Sequence, residues 1–423
     1  MDFLKLAESL ESYITEHRRY LHRHPELSDK EDNTVAYICK ELEALGIEHV
    51  NVPFGGVFAF LGDEAKGRTV LLRADIDALP VRESKVNAGG IEKPVVSEVE
   101  GIAHACGHDC HAAMLLGAAK GLKSIEDEIP GRVVLMFERG EEGGEGLGAL
   151  LKYAFDNCLH IDGSFGMHVD PSIPVGEFGW VSGNLMAGAM GYNMKITGKA
   201  AHGSQPYVGH SPIDAFNEYY SFMQSLRMKY ANPYDPMVFS VGTLHAGTAS
   251  NIIPPDLTFS GSFRLFNFDD GLKIKDKLVA AAESIPALYD CTGEIKVSGP
   301  SLCVYNDPAC ADLARTVVNE TFGHDVNEIL PLMARESFAI TSKLWPGVFM
   351  RAGVRNEAMG RTALNHSECQ DPDEGVLKLG CAMHMAYAMK FLTEGPDTSD
   401  RVYAGDIKEF IHKYRPNAAK FFD

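Results

Sequence analysis

Three short apolar segments, each ending near polar side chains, constrain the fold of this chain more than any other feature. Segments 69–74, 132–137 and 164–169 are rich in Val, Leu, Met and Phe, as buried strands are. A helical pattern at 111–122 follows the first strand, and a loop rich in Gly and Glu follows the second. This alternation of strands and helices predicts an α/β fold.

Polar clusters stand at the carboxyl ends of these predicted strands. Asp75 and Asp77 follow the first strand, Glu141 and Glu142 follow the second, and His168 lies near the end of the third. Ligands of open α/β sheets collect at the carboxyl ends of the strands. We therefore expect three separate segments to contribute to one site.

A second domain is predicted from a change of pattern in the middle of the chain. Segment 183–191 is rich in Gly, Ala and Met, and an alternating strand pattern begins directly after it. A helical pattern at 212–227 and an alternating strand at 257–266 continue this second region. The long apolar helix predicted at 375–392 suits packing back onto the first sheet.

These boundaries predict a discontinuous first domain and an inserted second one. The first is an α/β catalytic, metal-binding domain of residues 1–185 and 298–423, with a central mixed β-sheet flanked by helices. The second is a smaller α+β domain of residues 186–297.

Composition narrows the class of partner. Asp and Glu outnumber Lys and Arg 58 to 39, a formal charge of -19, which disfavours nucleic acid and anionic membranes. A small molecule or peptide is the favoured substrate.

The first eleven residues lack the basic start of a secretory signal, and no apolar run reaches the ~18 residues of a membrane span. Nine scattered cysteines indicate a reducing compartment, so we expect a cytoplasmic protein.

The segment 103–111 concentrates sulfur, imidazole and carboxylate groups in one loop. Cys106 and His108 flank a glycine that lets the backbone bend, so a thiolate and an imidazole can converge on one zinc-like cation. We expect Asp109 to hold the imidazole tautomer. The alternative is a buried cysteine beside a helix-capping aspartate with surface histidines.

Two carboxylate pairs suggest further roles. Neighbouring side chains of an extended loop point in different directions, so one of Glu141 and Glu142 can bind metal while the other transfers protons. A solvated acidic loop is the alternative. Asp75 and Asp77 lie on one side of the chain, where they can orient a ligand histidine, coordinate metal or simply form a turn.

Several motifs together resemble one enzyme family. They are RRYLHRHPEL at 18–27, RADIDALP at 73–80, ACGHD at 105–109, EEGG at 141–144, GMHV at 166–169, NIIP at 251–254, YND at 305–307, NHS at 365–367 and DE at 373–374. The chain resembles the aminoacylase/carboxypeptidase metallohydrolases over nearly its whole length. Within them it is similar to the amidohydrolase branch of hippurate hydrolases, N-acetyldiaminopimelate deacetylases and plant auxin-conjugate hydrolases.

The resemblance implies a metal centre and a base. Two divalent cations per subunit, Zn²⁺ or Mn²⁺ with Co²⁺ or Ni²⁺ as further options, would be bound by Cys106, His108, Glu142, His168 and His366. Glu141 would act as general acid/base. His168 and His366 are weak signals individually and gain weight from the other motifs.

The resemblance also implies substrate contacts and an assembly. The inserted domain would be a lid that pairs with a second subunit, giving a homodimer. Within it, His202 would stabilise the oxyanion, and Asn251 and Arg264 would contact substrate. Arg264 is suited to bidentate binding of a substrate carboxylate.

The chain departs from the family pattern near its site. Glu138, Arg139 and Gly140 stand where Gln-Pro-Ala is usual, and Cys110 stands where glycine is common. Segment 335–338 reads Arg-Glu-Ser-Phe instead of a Gly-Glu-Asp-Phe type, and Glu368 replaces a frequent proline. Because every proposed ligand and the base are present, these departures predict altered specificity rather than lost catalysis.

The leading hypothesis is a metal-dependent amidohydrolase that cleaves the amide bond of an N-acyl amino acid or similar small amide. A dipeptidase or carboxypeptidase acting at the same site is the near alternative. A thiol hydrolase with Cys106 as nucleophile, and a catalytically inactive metal-binding relative, are the other two.

Overall fold

A computed structural model describes all 423 residues as eleven α-helices and sixteen β-strands joined by loops and short 3-10 turns. The helices are α1 (Phe3–Ser9), α2 (Glu11–Arg23), α3 (Asp32–Ala44), α4 (His108–Lys123), α5 (Gly146–Asp156), α6 (Pro212–Tyr230), α7 (Phe268–Ala287), α8 (Pro308–Phe322), α9 (Phe338–Leu344), α10 (Gly375–Glu394) and α11 (Ile407–Tyr414). The strands are β1 (Glu48–Val52), β2 (Gly56–Gly62), β3 (Thr69–Asp75), β4 (Arg132–Glu138), β5 (Gly163–Pro174), β6 (Phe178–Trp180), β7 (Gly183–Met186), β8 (Gly188–Thr197), β9 (Ala201–His202), β10 (Met237–Ala246), β11 (Ile252–Ile253), β12 (Asp256–Leu265), β13 (Thr292–Ser298), β14 (Val304–Asn306), β15 (Asn327–Glu328) and β16 (Gly347–Arg355). None of the helices combines the length and apolar character that crossing a membrane requires.

The chain divides into two units. Unit 1 comprises Met1–Gly183, Tyr305–Leu330 and Ser337–Asp423, and unit 2 comprises Asn184–Val304 and Pro331–Glu336. The sequence-based prediction placed the insertion at 186–297 and did not anticipate the short second segment of unit 2. The role of the inserted domain as a lid stays a prediction.

Unit 1 is built around an eight-stranded sheet of order β1-β2-β4-β3-β5-β16-β6-β15. Strand β3 pairs in parallel with β4 and β5, and β16 pairs in parallel with β5. The pairs β1–β2, β2–β4 and β6–β16 are antiparallel. With helices such as α4 and α10 packed against this sheet, the predicted α/β fold with a mixed central sheet is confirmed.

The central strands end at the same edge of the sheet. All seven residues of β3 are buried, as expected for a parallel strand covered on both faces. In the parallel pairing of β3 with β4, Asp75 lies opposite Glu138, so two strands end in carboxylates side by side. Strand β5 carries His168 in register with Arg351 of β16. The polar clusters are therefore brought together by strand pairing.

Helix α4 begins at His108, earlier than the predicted residue 111, because Gly107 turns the chain directly before it. Gly107 has φ +88, a left-handed conformation that side chains rarely adopt. A Cβ atom there would lie 2.3 Å from Cγ2 of Val169. The tight turn places His108 in the first turn of the helix, with His111 three residues further on the same face.

Unit 2 contains a four-stranded antiparallel sheet of order β10-β12-β8-β13 and a two-stranded ribbon of β9 and β11. Helices α6 and α7 share its apolar core, which includes Tyr219, Phe259 and Leu278. Ser211 caps α6 by accepting a hydrogen bond from the Asp214 N–H, and Pro212 follows in the first turn. Strand β10 forms an edge of this sheet.

Candidate metal centre

Polar side chains of unit 1 meet where β3 and β4 end and α4 begins, beside the middle of β5. Cys106 and His108 come from the turn into α4, and His168 from β5. Glu142 lies in the loop after β4, and His366 in the loop before α10. Only the tertiary structure brings His366 close to the other four residues.

The potential ligand atoms lie close together. Cys106 Sγ is 3.4 Å from Nε2 of His168, and Nε2 of His366 is 3.1 Å from Oε1 of Glu142. Nε2 of His108 is 4.0 Å from the same Glu142 oxygen. Within each of three overlapping groups, one potential ligand atom per residue lies within 4.8 Å of the others: Cys106, His108 and His168; Cys106, Glu142 and His366; His108, Glu141 and Glu142.

The hydrogen bonds of two histidines direct their Nε2 atoms into this cluster. His108 Nδ1 lies 3.0 Å from Oδ1 of Asp77, and His168 Nδ1 donates to the Val169 carbonyl at 2.7 Å. Nε2 of His108 is buried without a hydrogen-bond partner. A divalent cation would satisfy it, and a mixed sulfur, nitrogen and oxygen donor set fits zinc-like metals. These residues therefore fit divalent metal binding.

The prediction that Asp109 holds the His108 imidazole is wrong. Oδ2 of Asp109 lies 2.8 Å from Nε of Arg18 and 2.8 Å from Nδ1 of His22, both on α2. Successive residues of a helix point about 100° apart, so Asp109 faces α2 while His108 faces the cluster. Burial works against ionisation of Asp109, but Arg18 and His22 hold the pKa of its carboxyl well below the ordinary value.

Asp77 takes the orienting role instead. Besides binding His108, its Oδ2 accepts hydrogen bonds from the Ser28 hydroxyl at 2.6 Å and the Glu142 N–H at 3.0 Å. One carboxylate thus fixes an imidazole ring and the backbone of a second candidate ligand. Of the roles left open for Asp77, these contacts favour orientation over direct coordination.

Asp75 orients His111, a residue that the sequence analysis did not single out. Asp75 Oδ1 lies 2.6 Å from His111 Nδ1, and Nε2 of His111 accepts from the Val169 N–H at 2.9 Å. The pair therefore fixes the backbone next to His168. The three-residue spacing from His108 on one helix face was the signal that could have identified His111.

Glu141 is buried beside the candidate ligands. Its Oε1 accepts a hydrogen bond from the Ser337 N–H at 2.8 Å. No sequence spacing links these residues, so Ser337 could not have been found from the loop around Glu141 alone.

The ionisable groups of the cluster have shifted pKa values. Burial opposes protonation of His108, but the negative charge of Asp75 and the hydrogen bond to Asp77 raise its pKa well above the ordinary value. Burial also opposes ionisation of Glu142, whose pKa is nevertheless lowered by its hydrogen bond to His366 and by His108. Burial raises the pKa of the Cys106 thiol to about 12. A bound cation would stabilise the thiolate directly.

The backbone of His366 is held in an uncommon conformation. Its φ is +66, and its N–H donates to the Ala105 carbonyl at 2.6 Å. Non-glycine residues rarely adopt this left-handed region, and exceptions cluster at functional sites. The conformation places the ring at Glu142, whose hydrogen bond raises the pKa of His366.

The three predicted substrate-contacting residues all lie in unit 2. His202 of β9 is exposed, and its Nδ1 lies 2.7 Å from the Ser204 hydroxyl. The Asn251 carbonyl accepts from the Gly203 N–H at 2.7 Å, so His202 and Asn251 are close in space. Arg264 stands apart from them on β12, in register with Ala189 of β8.

Fold and site define a class of protein, and the chain belongs to it. Residues 71–390 match the model of Peptidase family M20/M25/M40. The chain is therefore a member of that family, a metal-dependent hydrolase that acts on amide bonds.

Individual relatives carry several activities in their names. The chain is 34% identical to thermostable carboxypeptidase 2 of Saccharolobus solfataricus over 390 residues, covering 91% of this chain and 97% of that protein. It is 36% identical to N-acetyl-L-cysteine deacetylase of Bacillus subtilis over 350 residues, covering 82% and 81%. Among solved structures, a dinuclear metal binding peptidase of this family from Bacillus subtilis matches with a TM-score of 0.75 and 29% identity, over 91% of this chain and 99% of that one.

Proposed function

We propose that this chain hydrolyses the amide bond of an N-acyl amino acid and releases the free amino acid. The observation that carries the proposal is a buried carboxylate, Glu141, within 4.8 Å of ligand atoms of His108 and Glu142 in a cluster suited to cations. A proton-transfer group beside a cation site is the arrangement that metal-assisted hydrolysis needs.

Two divalent cations per subunit, Zn²⁺ or Mn²⁺ with Co²⁺ or Ni²⁺ as further options, would be held by Cys106, His108, Glu142, His168 and His366. The overlap of the three ligand groups at Cys106 and His108 supports a shared, dinuclear arrangement. Bound cations would supply Lewis-acid polarisation of the scissile carbonyl and increase the acidity of water.

Glu141 serves as general acid/base in this proposal. Its carboxylate accepts a proton from the attacking water and returns it to the nitrogen of the leaving amine. Glu142 is less suited to this task because its Oε1 is engaged by His366 at 3.1 Å. The Ser337 N–H keeps the Glu141 carboxylate in one orientation.

His202, Asn251 and Arg264 would bind the substrate. Arg264 is partly buried, and its guanidinium makes neither an ion pair nor a hydrogen bond. Burial and the nearby positive charge of Arg335 disfavour the charged form of Arg264 and lower its pKa, and a bound substrate carboxylate would offset both effects. An exposed His202 ring can donate to the oxygen on which negative charge develops.

A carboxypeptidase activity is the second candidate, because the chain is 34% identical to a protein named thermostable carboxypeptidase. Both reactions release an amino acid with a free carboxylate, which Arg264 would bind in either case. A thiol mechanism is disfavoured, since burial raises the pKa of Cys106 to about 12 and weakens it as a nucleophile.

We further propose a homodimer formed through residues 186–297 and a cytoplasmic location. Edge strand β10 exposes Val238 and Leu244, which supports pairing with a second copy. A reducing compartment would keep Cys106 available as a thiolate ligand. Light scattering of the purified protein, with a charged substitution at Leu244 as comparison, tests the dimer.

The substrate proposal is tested by hydrolysis of N-acetyl and N-benzoyl amino acids beside matched dipeptides, with metal content measured on the same sample. Chelator-sensitive release of amino acid from the N-acyl substrates is the expected result. Preference for the dipeptides would support the dipeptidase or carboxypeptidase alternative. Absence of cleavage in fully metal-loaded protein would contradict both.

A further inference from the structure

Arg73, Glu138 and Ser337 form a closed triangle of hydrogen bonds beside the site. Arg73 Nε donates to Oε2 of Glu138 at 2.8 Å, and its Nη2 donates to the Ser337 hydroxyl oxygen at 2.7 Å. The Ser337 hydroxyl in turn donates to Oε1 of Glu138 at 2.7 Å. Each side of the triangle is a charge-assisted hydrogen bond, the stronger kind.

The triangle is fully enclosed. The side chains of Arg73 and Glu138 have no exposed surface, and Ser337 is buried. Nη1 of Arg73 also binds Oδ2 of Asp75 at 2.7 Å. In a buried site, each of these groups is costly to leave without its partner, so they hold one arrangement.

One corner of the triangle contacts the proposed base. The Ser337 N–H that donates to Glu141 belongs to the residue whose hydroxyl is fixed by Arg73 and Glu138. Glu138 ends β4, and Glu141 follows it by a short loop. The position of Glu141 is therefore restrained from both sides by the same triangle.

We propose that Glu138 and Ser337 are positioning residues that, through Arg73, set the orientation of the Glu141 carboxylate. The proposal rests on the proposed function, since it assigns Glu141 the role of general acid/base. It adds two residues to that reaction that act without touching the substrate.

Glu138 and Ser337 are in direct contact, with 2.7 Å between the Ser337 hydroxyl oxygen and Oε1 of Glu138. Arg73 donates to both side chains, so a carboxylate at either position would face its guanidinium. We therefore expect a carboxylate moved from position 138 to position 337 to compensate in part for its loss.

This compensation defines the experiment. Glu138→Gln removes the carboxylate that accepts from the Ser337 hydroxyl and from Arg73 Nε, while Arg73 keeps Asp75. Ser337→Asp alone sets a second carboxylate against Glu138. The double variant Glu138→Gln/Ser337→Asp restores one carboxylate and keeps the backbone N–H of residue 337. We expect Glu138→Gln to lower kcat about 100-fold with KM and metal content unchanged. The double variant should recover to within about tenfold of wild type, a coupling that independent sites would not show.

The control is Ser164→Ala on β5, which removes a buried hydroxyl that donates to the Trp345 carbonyl at 2.7 Å. It should leave kcat unchanged. Thermal unfolding and metal analysis of every variant separate misfolding from mispositioning. If Glu138→Gln does not fold, Ser337→Ala, which removes only a hydroxyl, carries the same expectation.

Three outcomes overturn the proposal. An active wild type with unchanged kcat in Glu138→Gln, or a double variant no faster than Glu138→Gln at wild-type metal content, removes the positioning role alone. A metal-loaded wild type that hydrolyses no amide instead overturns the proposed function, and the positioning role with it.

Discussion

Oδ1 of Asp77 lies 3.0 Å from Nδ1 of His108, and this contact fixes which nitrogen of the imidazole is available to a cation. The same carboxylate accepts the Glu142 N–H through its other oxygen. Two candidate ligands are thus held by one side chain that contributes no atom to the proposed coordination sphere. Groups of this kind commonly change metal affinity by about 10–100-fold when removed.

Asp77→Ala should therefore lower metal affinity by about 10–100-fold while the protein remains folded. Competition with a chromogenic chelator gives the affinity, and circular dichroism checks the fold. Asp162→Ala is a matched control, since Asp162 binds the Thr69 N–H at the opposite end of β3. Equal metal affinity in the Asp77 and Asp162 variants would contradict the orienting role.

Glu141→Gln should keep metal content and lower kcat by about 10²–10⁴-fold, because an amide cannot accept the proton of the attacking water. Cys106→Ala, by contrast, should lose metal together with activity. Metal analysis beside steady-state kinetics separates the two effects. Glu145→Gln in the same loop is the control and should behave as wild type. Near-normal turnover in Glu141→Gln would end its assignment as the base.

His202→Ala should leave metal content unchanged and lower kcat by about 100-fold or more, the effect of losing one donor to a developing oxyanion. His210→Ala provides a comparison within unit 2, because His210 joins its neighbours through backbone hydrogen bonds to Lys199. Stopped-assay kinetics on both variants at saturating substrate are sufficient. Equal rates in the two variants would exclude His202 from the reaction.

His384 should make the fold sensitive to acid. The ring is buried on α10 against Phe165, with centroids 5.2 Å apart, and burial lowers its pKa from 6.5 to about 3. The unfolded chain binds the proton first as pH falls, so stability present above pH 6.5 is lost progressively down to about pH 3. Between pH 7.5 and 5 this group should cost about 2 kcal/mol of unfolding free energy.

Urea unfolding of wild type and His384→Leu at both pH values isolates this contribution, because the other titrating groups are common to the two proteins. The variant should lose less stability on acidification than wild type. His412→Gln, which changes an exposed histidine, should follow wild type. Parallel losses in all three proteins would show that His384 is not the acid-sensitive group.

Local sequence patterns were sufficient to predict the strands and the turn that carry the site residues. The apolar segments at 69–74 and 132–137 became β3 and β4, and the polar residues after them lie at one sheet edge because parallel strands end together. The turn at Gly107 likewise follows from the sequence, since glycine permits the left-handed conformation observed there. Periodicity and backbone sterics are local properties, which is why the sequence could predict them.

The sequence by itself determined the fold class, the ends of β3 and β4 and the chemical types gathered near Cys106. The third predicted strand, 164–169, continues to Pro174 in the structure. The tertiary structure alone decided which group contacts which. Asp109 adjoins His108 in sequence but faces Arg18. The contact with the His108 imidazole that was expected of Asp109 is made by Asp77 instead. Ser337 reaches Glu141 from a distant segment. Such pairings depend on how helices and strands pack, which brings together residues that no local pattern relates, so only the folded chain determines them.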